Sequence, residues 1–371
     1  MATQDSLAGV SNLLVYSAMA AYTGALGAFA LDLAGRGAAA RQVPVARQPG
    51  LPAARQAAVP AAAEAAVRAP ATVGGPGSPG VTGTTADTPA GTAARSSADA
   101  APDAAVPGSA APAAVRGPRR NVGGIAVALT WLAFLLHLGA VVARGLAAGR
   151  APWGNMYEFS TSGALVVTGV YLAVLRRRDL RYLGTFVVGP VLLTLGLAIA
   201  VLYTPEAQLV PALQSYWLVI HVSVAFIASA LFTLGFSTSV LQLVQHRRED
   251  ARARGHILQG GRFMDALPAA ADLERSAYRL HVVAFPLWTF TVIAGAIWAE
   301  HAWGRYWNWD PKEVWSFVIW VVYAGYLHAR ATRGWDGRRA AWFAIAGYGC
   351  LLFNFLVVNI FFVGFHSYSG V

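Results

Sequence analysis

The chain has 371 residues, 56% hydrophobic and only 12% charged, where a soluble domain carries about a quarter charged residues. An aqueous fold is therefore disfavoured before any segment is read. The net charge of +10 rests almost wholly on arginine, since Lys312 is the only lysine. Because those arginines sit between apolar runs, they point to membrane orientation rather than to nucleic acid.

Eight apolar runs approach the roughly 20 residues that cross a bilayer. They are 7–33, 121–146, 159–175, 183–203, 216–244, 278–299, 314–331 and 340–363. An all-α polytopic transmembrane bundle of about eight spans is expected, with an N-terminal span over residues 1–34. The segment before the first run, Met1–Ser6, lacks the positive n-region of a signal peptide. Residues 35–120 are rich in Ala, Pro and Gly with almost no aromatics. They cannot bury enough apolar surface to offset ordering entropy, so a disordered linker is predicted. Residues 121–371 hold the remaining spans and all the chemistry.

Arginines cluster in every second loop. Arg176, Arg177, Arg178 and Arg181 join spans three and four, Arg247–Arg275 joins five and six, and Arg330–Arg339 joins seven and eight. The positive-inside rule makes these loops and the linker cytoplasmic. The loops 147–158, 204–215 and 300–312, both termini and the tail 364–371 then face outward.

One outward stretch, Trp298–Trp315, holds Trp298, Trp303, Trp307, Trp309 and Trp315 with Tyr306 among them. An interfacial belt explains one or two indoles per helix end but not this density. Such a loop suits a large, flat, apolar ligand that stacks on ring faces, with Arg305 and Lys312 on its rim to meet acidic groups. Asp310, Pro311 and Glu313 form a capping-box start for the next helix. Glu313 is also open to a catalytic role.

Ionisable residues in apolar runs are functional candidates. His221 lies about 7 Å into span five from its outer end, and His366 follows the outer end of span eight. Two such imidazoles suit axial ligation of heme iron. His328 lies about 22 Å down span seven, near the inner side. Glu313, Phe317, Val321, Ala324 and His328 share a stripe that could line a path between inner and outer sites. His137 lies in span two with nothing further to assign it. His281 reads as interfacial, His246 and His256 as solvated, and His301 as a weak candidate. The single cysteine, Cys350, lies in an apolar run. Neither a dithiol couple nor a covalent heme-attachment site is therefore present.

The run Trp303-Gly-Arg-Tyr-Trp-Asn-Trp-Asp-Pro-Lys-Glu-Val-Trp315 resembles the tryptophan-rich signature of the cytochrome c assembly family, whose heme-handling members include CcsA, CcmC and CcmF. Within it the chain is most similar to the CcsA-type subunit of System II synthases, also called CcsB or ResC. Residues 152–158, 216–222, 326–330, Asn359 and 364–368 carry the same likeness, which spans residue 131 to the C-terminus. The resemblance implies a heme-presenting subunit of a holocytochrome c synthase in the plasma membrane, with its active face external. It implies that His221 and His366 ligate a transient heme b over the tryptophan loop, and that His328 holds heme nearer the cytoplasm. It further implies a ResB/Ccs1-type partner, which supplies the second inner ligand, and an apocytochrome c substrate whose Cys-x-x-Cys-His segment receives the heme. Two rival readings are a transporter and an electron-transfer subunit that keeps its heme. The former predicts broken helices in repeated halves, and the sequence shows no such repeat.

Overall fold

A computed structural model of the chain describes residues 2–41, 121–205, 208–256 and 261–367. The expected linker over 42–120 lies outside the described residues. The described residues form α-helices and short helical turns, with no strand among them. The helices are α1 (Ala2–Arg41), α2 (Val122–Ala148), α3 (Met156–Leu175), α4 (Gly184–Ala200), α5 (Tyr216–Ala253), α6 (Ala270–Trp303), α7 (Pro311–Arg333) and α8 (Gly337–Phe361). Within α8, Phe353–Val358 is π-helical.

Seven of these helices are long and apolar enough to cross a membrane. The exception is α7, whose 23 residues span about 34 Å. It matches bilayer thickness, but Trp315, Trp320, Tyr323, Tyr326 and His328 lower its apolarity. It still packs within the bundle, burying Ile319, Tyr323 and Tyr326 against α6 and α8.

The small residues that dominate α1 have a packing reason. Ser11, Val15, Ala18, Tyr22, Ala25, Phe29 and Leu33 are all buried, at steps of three or four that form one seam. They face a matching seam on α2, Ala126, Thr130, Ala133, His137, Ala140 and Arg144. Small side chains let the two backbones approach closely, and Ser11 Oγ donates to Ala140 O at 2.8 Å.

Hydropathy places helix ends too early wherever charge begins. α5 runs nine residues past the expected limit at Val244, through Gln, His, Arg and Glu, and α6 begins at Ala270, not Tyr278. Likewise α1 continues through Gly35–Arg41, which the composition assigns to the linker. Polar residues of good helix propensity carry helices beyond an apolar slab. The arginine-rich end is tied by Glu274 of α6, which accepts from Arg330 of α7, Gln242 of α5 and Gly337 N of α8.

Candidate functional site: a cavity between two histidines

At the other end of the bundle, four segments converge: residues 149–155, the described parts 201–205 and 208–215 of one loop, 304–310 and the tail 362–367. Glu158 organises the first of them. Wholly buried, its carboxylate accepts from Arg144 Nε at 3.2 Å, Arg150 Nη1 at 2.6 Å and Gly154 N at 2.9 Å. Arg144 also donates to Thr204 O at 2.6 Å, which draws in the second segment. Trp153 thereby sits against Phe226 of α5. Sequence reasoning assigned Glu158 no role. The available signal was an acidic residue entering an apolar run with Arg144 and Arg150 just before it.

The other two segments meet at Asp310, the N-cap of α7. The capping box forms as expected: Glu313 Oε2 accepts Asp310 N at 3.1 Å and Asn308 N at 2.8 Å, and Asp310 Oδ2 accepts Lys312 N at 3.2 Å. Asp310 does more than cap. It accepts Phe365 N at 2.6 Å and His366 Nδ1 at 2.8 Å, so the helix start also holds the tail. Gly364 is required at that crossing, because a Cβ there would collide with the Asp310 carboxylate. Burial raises the Asp310 pKa, but the hydrogen bond and charge of His366, with the two backbone donors, outweigh it and hold the carboxyl below its ordinary value.

His221 enters from α5, whose first turn is capped by Ser215 accepting Trp217 N. Its Nδ1 lies 2.9 Å from Thr291 O of α6. Gly295, one turn further along α6, leaves room for the ring: a Cβ there would stand 2.8 Å from His221 Cε1. Both imidazoles touch the same buried indole. His221 lies parallel to Trp298 at 6.1 Å, and His366 meets it edge-on at 5.4 Å. Trp298 is fixed by its Nε1–H to Ala212 O at 3.0 Å.

The Nδ1 partners, a carbonyl and a carboxylate, only accept, so each Nδ1 carries the proton. In a neutral ring the lone pair then lies on Nε2, and among the described residues neither Nε2 has a hydrogen-bond partner. This is the second-sphere pattern that orients metal-ligating histidines. Both histidines line a cavity of about 270 Å³. It reaches inward between α3, α4, α5, α6 and α8 past Phe159, Ala164 and Val191 to Trp288 and Tyr348, and Tyr348 OH lies 3.1 Å from Thr233 Oγ1. The lining is largely apolar with a few convergent polar groups, as in small-molecule sites.

The structure divides the expected site residues. Tyr306 and Trp307 line the cavity beside the histidines. Trp303 backs them, with its ring 4.9 Å from His366 and 4.8 Å from Trp298. Trp309 turns outward, 73% exposed, on a backbone with φ of 60° that side-chain-bearing residues rarely adopt. Trp315 packs on Phe353 of α8. The five indoles are thus a wall and a brim, not one flat shelf. Arg305 is exposed on the rim over the Phe365 ring. Lys312, expected beside it, instead reaches beneath to Asn354 O at 3.0 Å and Asn359 Oδ1 at 2.7 Å.

Along α7 only Lys312, Glu313 and Ser316 line the cavity. Phe317, Val321 and His328 are exposed on the outside of the bundle, so the expected stripe is not the cavity wall. His281 is corrected from interfacial to wholly buried, packed against Tyr323 and Tyr326. His137 is also buried, 3.4 Å from Tyr22 OH in the α1–α2 seam and away from the cavity. His301 is exposed, with Nδ1 donating to Ile297 O.

Fold and site together define a multi-pass membrane protein with a histidine-flanked cavity at one end. Residues 153–366 match the family model described as Cytochrome C assembly protein, and the chain belongs to that family. It is 35% identical over 293 residues to the cytochrome c biogenesis protein CcsA of Synechococcus elongatus, covering 68% of this chain and 88% of the relative. It is 34% identical over 294 residues to the protein of the same name from Synechocystis, covering 66% and 86%. Among solved structures, a cytochrome c heme lyase CcmF superposes with a TM-score of 0.46 at 19% identity, over 64% of this chain and 42% of that one. The chain is a membrane protein of cytochrome c biogenesis, in a family that handles heme.

Proposed function

We propose that the cavity holds heme b between His221 and His366 and presents it for covalent attachment to an apocytochrome c. One observation carries this reading: two imidazoles share one indole and line one cavity, each with Nδ1 committed to an acceptor and Nε2 without a hydrogen-bond partner among the described residues. Bis-histidine ligation is a standard way to hold heme iron. A cavity of about 270 Å³ is slightly below the ~300–1,000 Å³ of small-molecule sites. The porphyrin would lie partly outside it, against Trp303, Tyr306 and Trp307 and under the protruding Trp309.

In this reading the site faces outward across the plasma membrane, and the protein is the heme-presenting half of a holocytochrome c synthase. Each cysteine thiol of a Cys-x-x-Cys-His segment adds across a vinyl group. Sulfur bonds to one vinyl carbon and the thiol proton passes to the other, so no oxidant is needed. This chain contributes position: Asp310 and Thr291 aim the two imidazoles, and the substrate histidine displaces one of them. His328, on the exposed face of α7, is the inner heme ligand. That exposure supports a second ligand from a ResB/Ccs1-type partner packed against the same face.

The test is purification of the full chain co-expressed with that partner. A b-type spectrum that disappears in His221→Ala and in His366→Ala is expected, and a heme-free wild type sinks the reading. Co-expression with an apocytochrome separates delivery from retention, because only delivery leaves covalent heme on the substrate.

A further inference from the structure

Lys312, the only lysine, has no role in the reading above. Its ammonium carries three hydrogens, and two go to uncharged acceptors, Asn354 O and Asn359 Oδ1. Among the described residues it forms no ion pair. The nearby carboxylates are engaged elsewhere, Asp310 with His366 and Glu313 with the loop backbone. Lys312 lines the cavity, and so does Ser160 of α3. Ser160 is 3% exposed, and among the described residues its Oγ has no hydrogen-bond partner. A buried lysine with no ion pair and a hydroxyl with no partner among the described residues, on a largely apolar cavity, make a place that an anion would complete, since a counter-charge there would hold the lysine in its charged form. Asn354 Oδ1, also without a partner among the described residues, is an acceptor and meets an anion only through a water.

We propose that Lys312 receives the carboxylate edge of the porphyrin inside the cavity, so that the vinyl groups face the aromatic loop. This rests on the heme reading and deepens it by fixing which edge enters. The chemistry demands such an order. A polypeptide cannot follow the porphyrin into a cavity of about 270 Å³, so its thiols reach only what stays outside. Were the carboxylates to remain outside on Arg305, the vinyls would point into the bundle and out of reach. Arg305 does not line the cavity.

The experiment compares ferric heme with its dimethyl ester, which blocks both carboxylates and leaves vinyls and iron unchanged. Both are titrated by Soret absorbance into the full-length chain in lipid nanodiscs. Wild type is expected to prefer the free acid by about tenfold or more, the scale of a charged hydrogen bond. Lys312→Met should bind the ester as wild type does, with the same bis-histidine spectrum, and show no preference. Arg305→Gln should keep the preference. Equal affinity of wild type for both porphyrins overturns the proposal, as does a preference that vanishes with Arg305→Gln. A Lys312→Met protein that loses both forms alike marks Lys312 as a structural pin and overturns it too. If that variant does not fold, the wild-type comparison alone decides. Absence of any spectrum dependent on His221 and His366 removes the heme reading itself. An intact spectrum without preference removes only the orientation.

Discussion

Four histidines lie inside the bundle, in two pairs with opposite surroundings. His221 and His366 line one cavity, and each gives one ring nitrogen to an acceptor and leaves the other without a hydrogen-bond partner among the described residues. His137 and His281 are wholly enclosed by side chains. Among the described residues His281 has no hydrogen-bond partner for either nitrogen and His137 none for Nε2. Burial alone therefore does not mark a ligand. The mark is one nitrogen fixed and the other given space.

That contrast can be broken most sharply with isosteric substitutions. His221→Leu should abolish the heme spectrum while leaving the unfolding midpoint nearly unchanged. His281→Leu should keep the spectrum, and its midpoint should stay level or rise, because unpartnered buried polar groups cost about 1–3 kcal/mol. Loss of heme in His281→Leu would mean that the packed pair also serves function.

A smaller effect comes from the glycines that make room for the two rings. A Cβ at Gly235 collides with His281, which has nowhere to move, so Gly235→Ala should destabilise by about 1–3 kcal/mol. Gly295→Ala meets His221 instead, and that ring can swing into the cavity. Its cost should appear as weakened heme binding with little change in midpoint. Equal losses of stability would show that the cavity gives the ring no freedom.

The smallest effect is in pH. The Asp310 carboxyl is held below its ordinary pKa, so it stabilises the fold above the unfolded value of about 3.9 and loses that contribution as pH falls through the folded value. The midpoint difference between wild type and Asp310→Asn should be fully present at about pH 5 and shrink below about 4. A difference already closing near pH 6 would assign the titration to another group.

Much of this was legible in the sequence. Apolar runs gave the helices, the Asp310-Pro311-x-Glu313 spacing gave the capping box, and histidine depth put His221 and His366 at the same end. Helix ends were not legible, because hydropathy reports the edge of the slab while propensity continues past it in α1, α5 and α6. Nor was the direction of Lys312, which depends on acceptors 42 and 47 residues away. The same holds for His281, whose enclosure needs Phe232, Tyr323 and Tyr326 from other helices. Periodicity ranks faces within one helix but does not report what stands opposite.

The π-helical turn at Phe353–Val358 has a consequence for how this chain tolerates change. A π turn amounts to one residue inserted into an α-helix, and each residue turns a helix by about 100°. Everything beyond the turn, Asn359 and His366 included, is therefore aimed by residue count. Swapping one apolar side chain for another within the turn should be forgiven. Deleting a single residue there would restore a regular helix, rotate the tail by about 100°, and carry His366 away from Asp310. Chain length at this turn is then a stricter constraint than its composition.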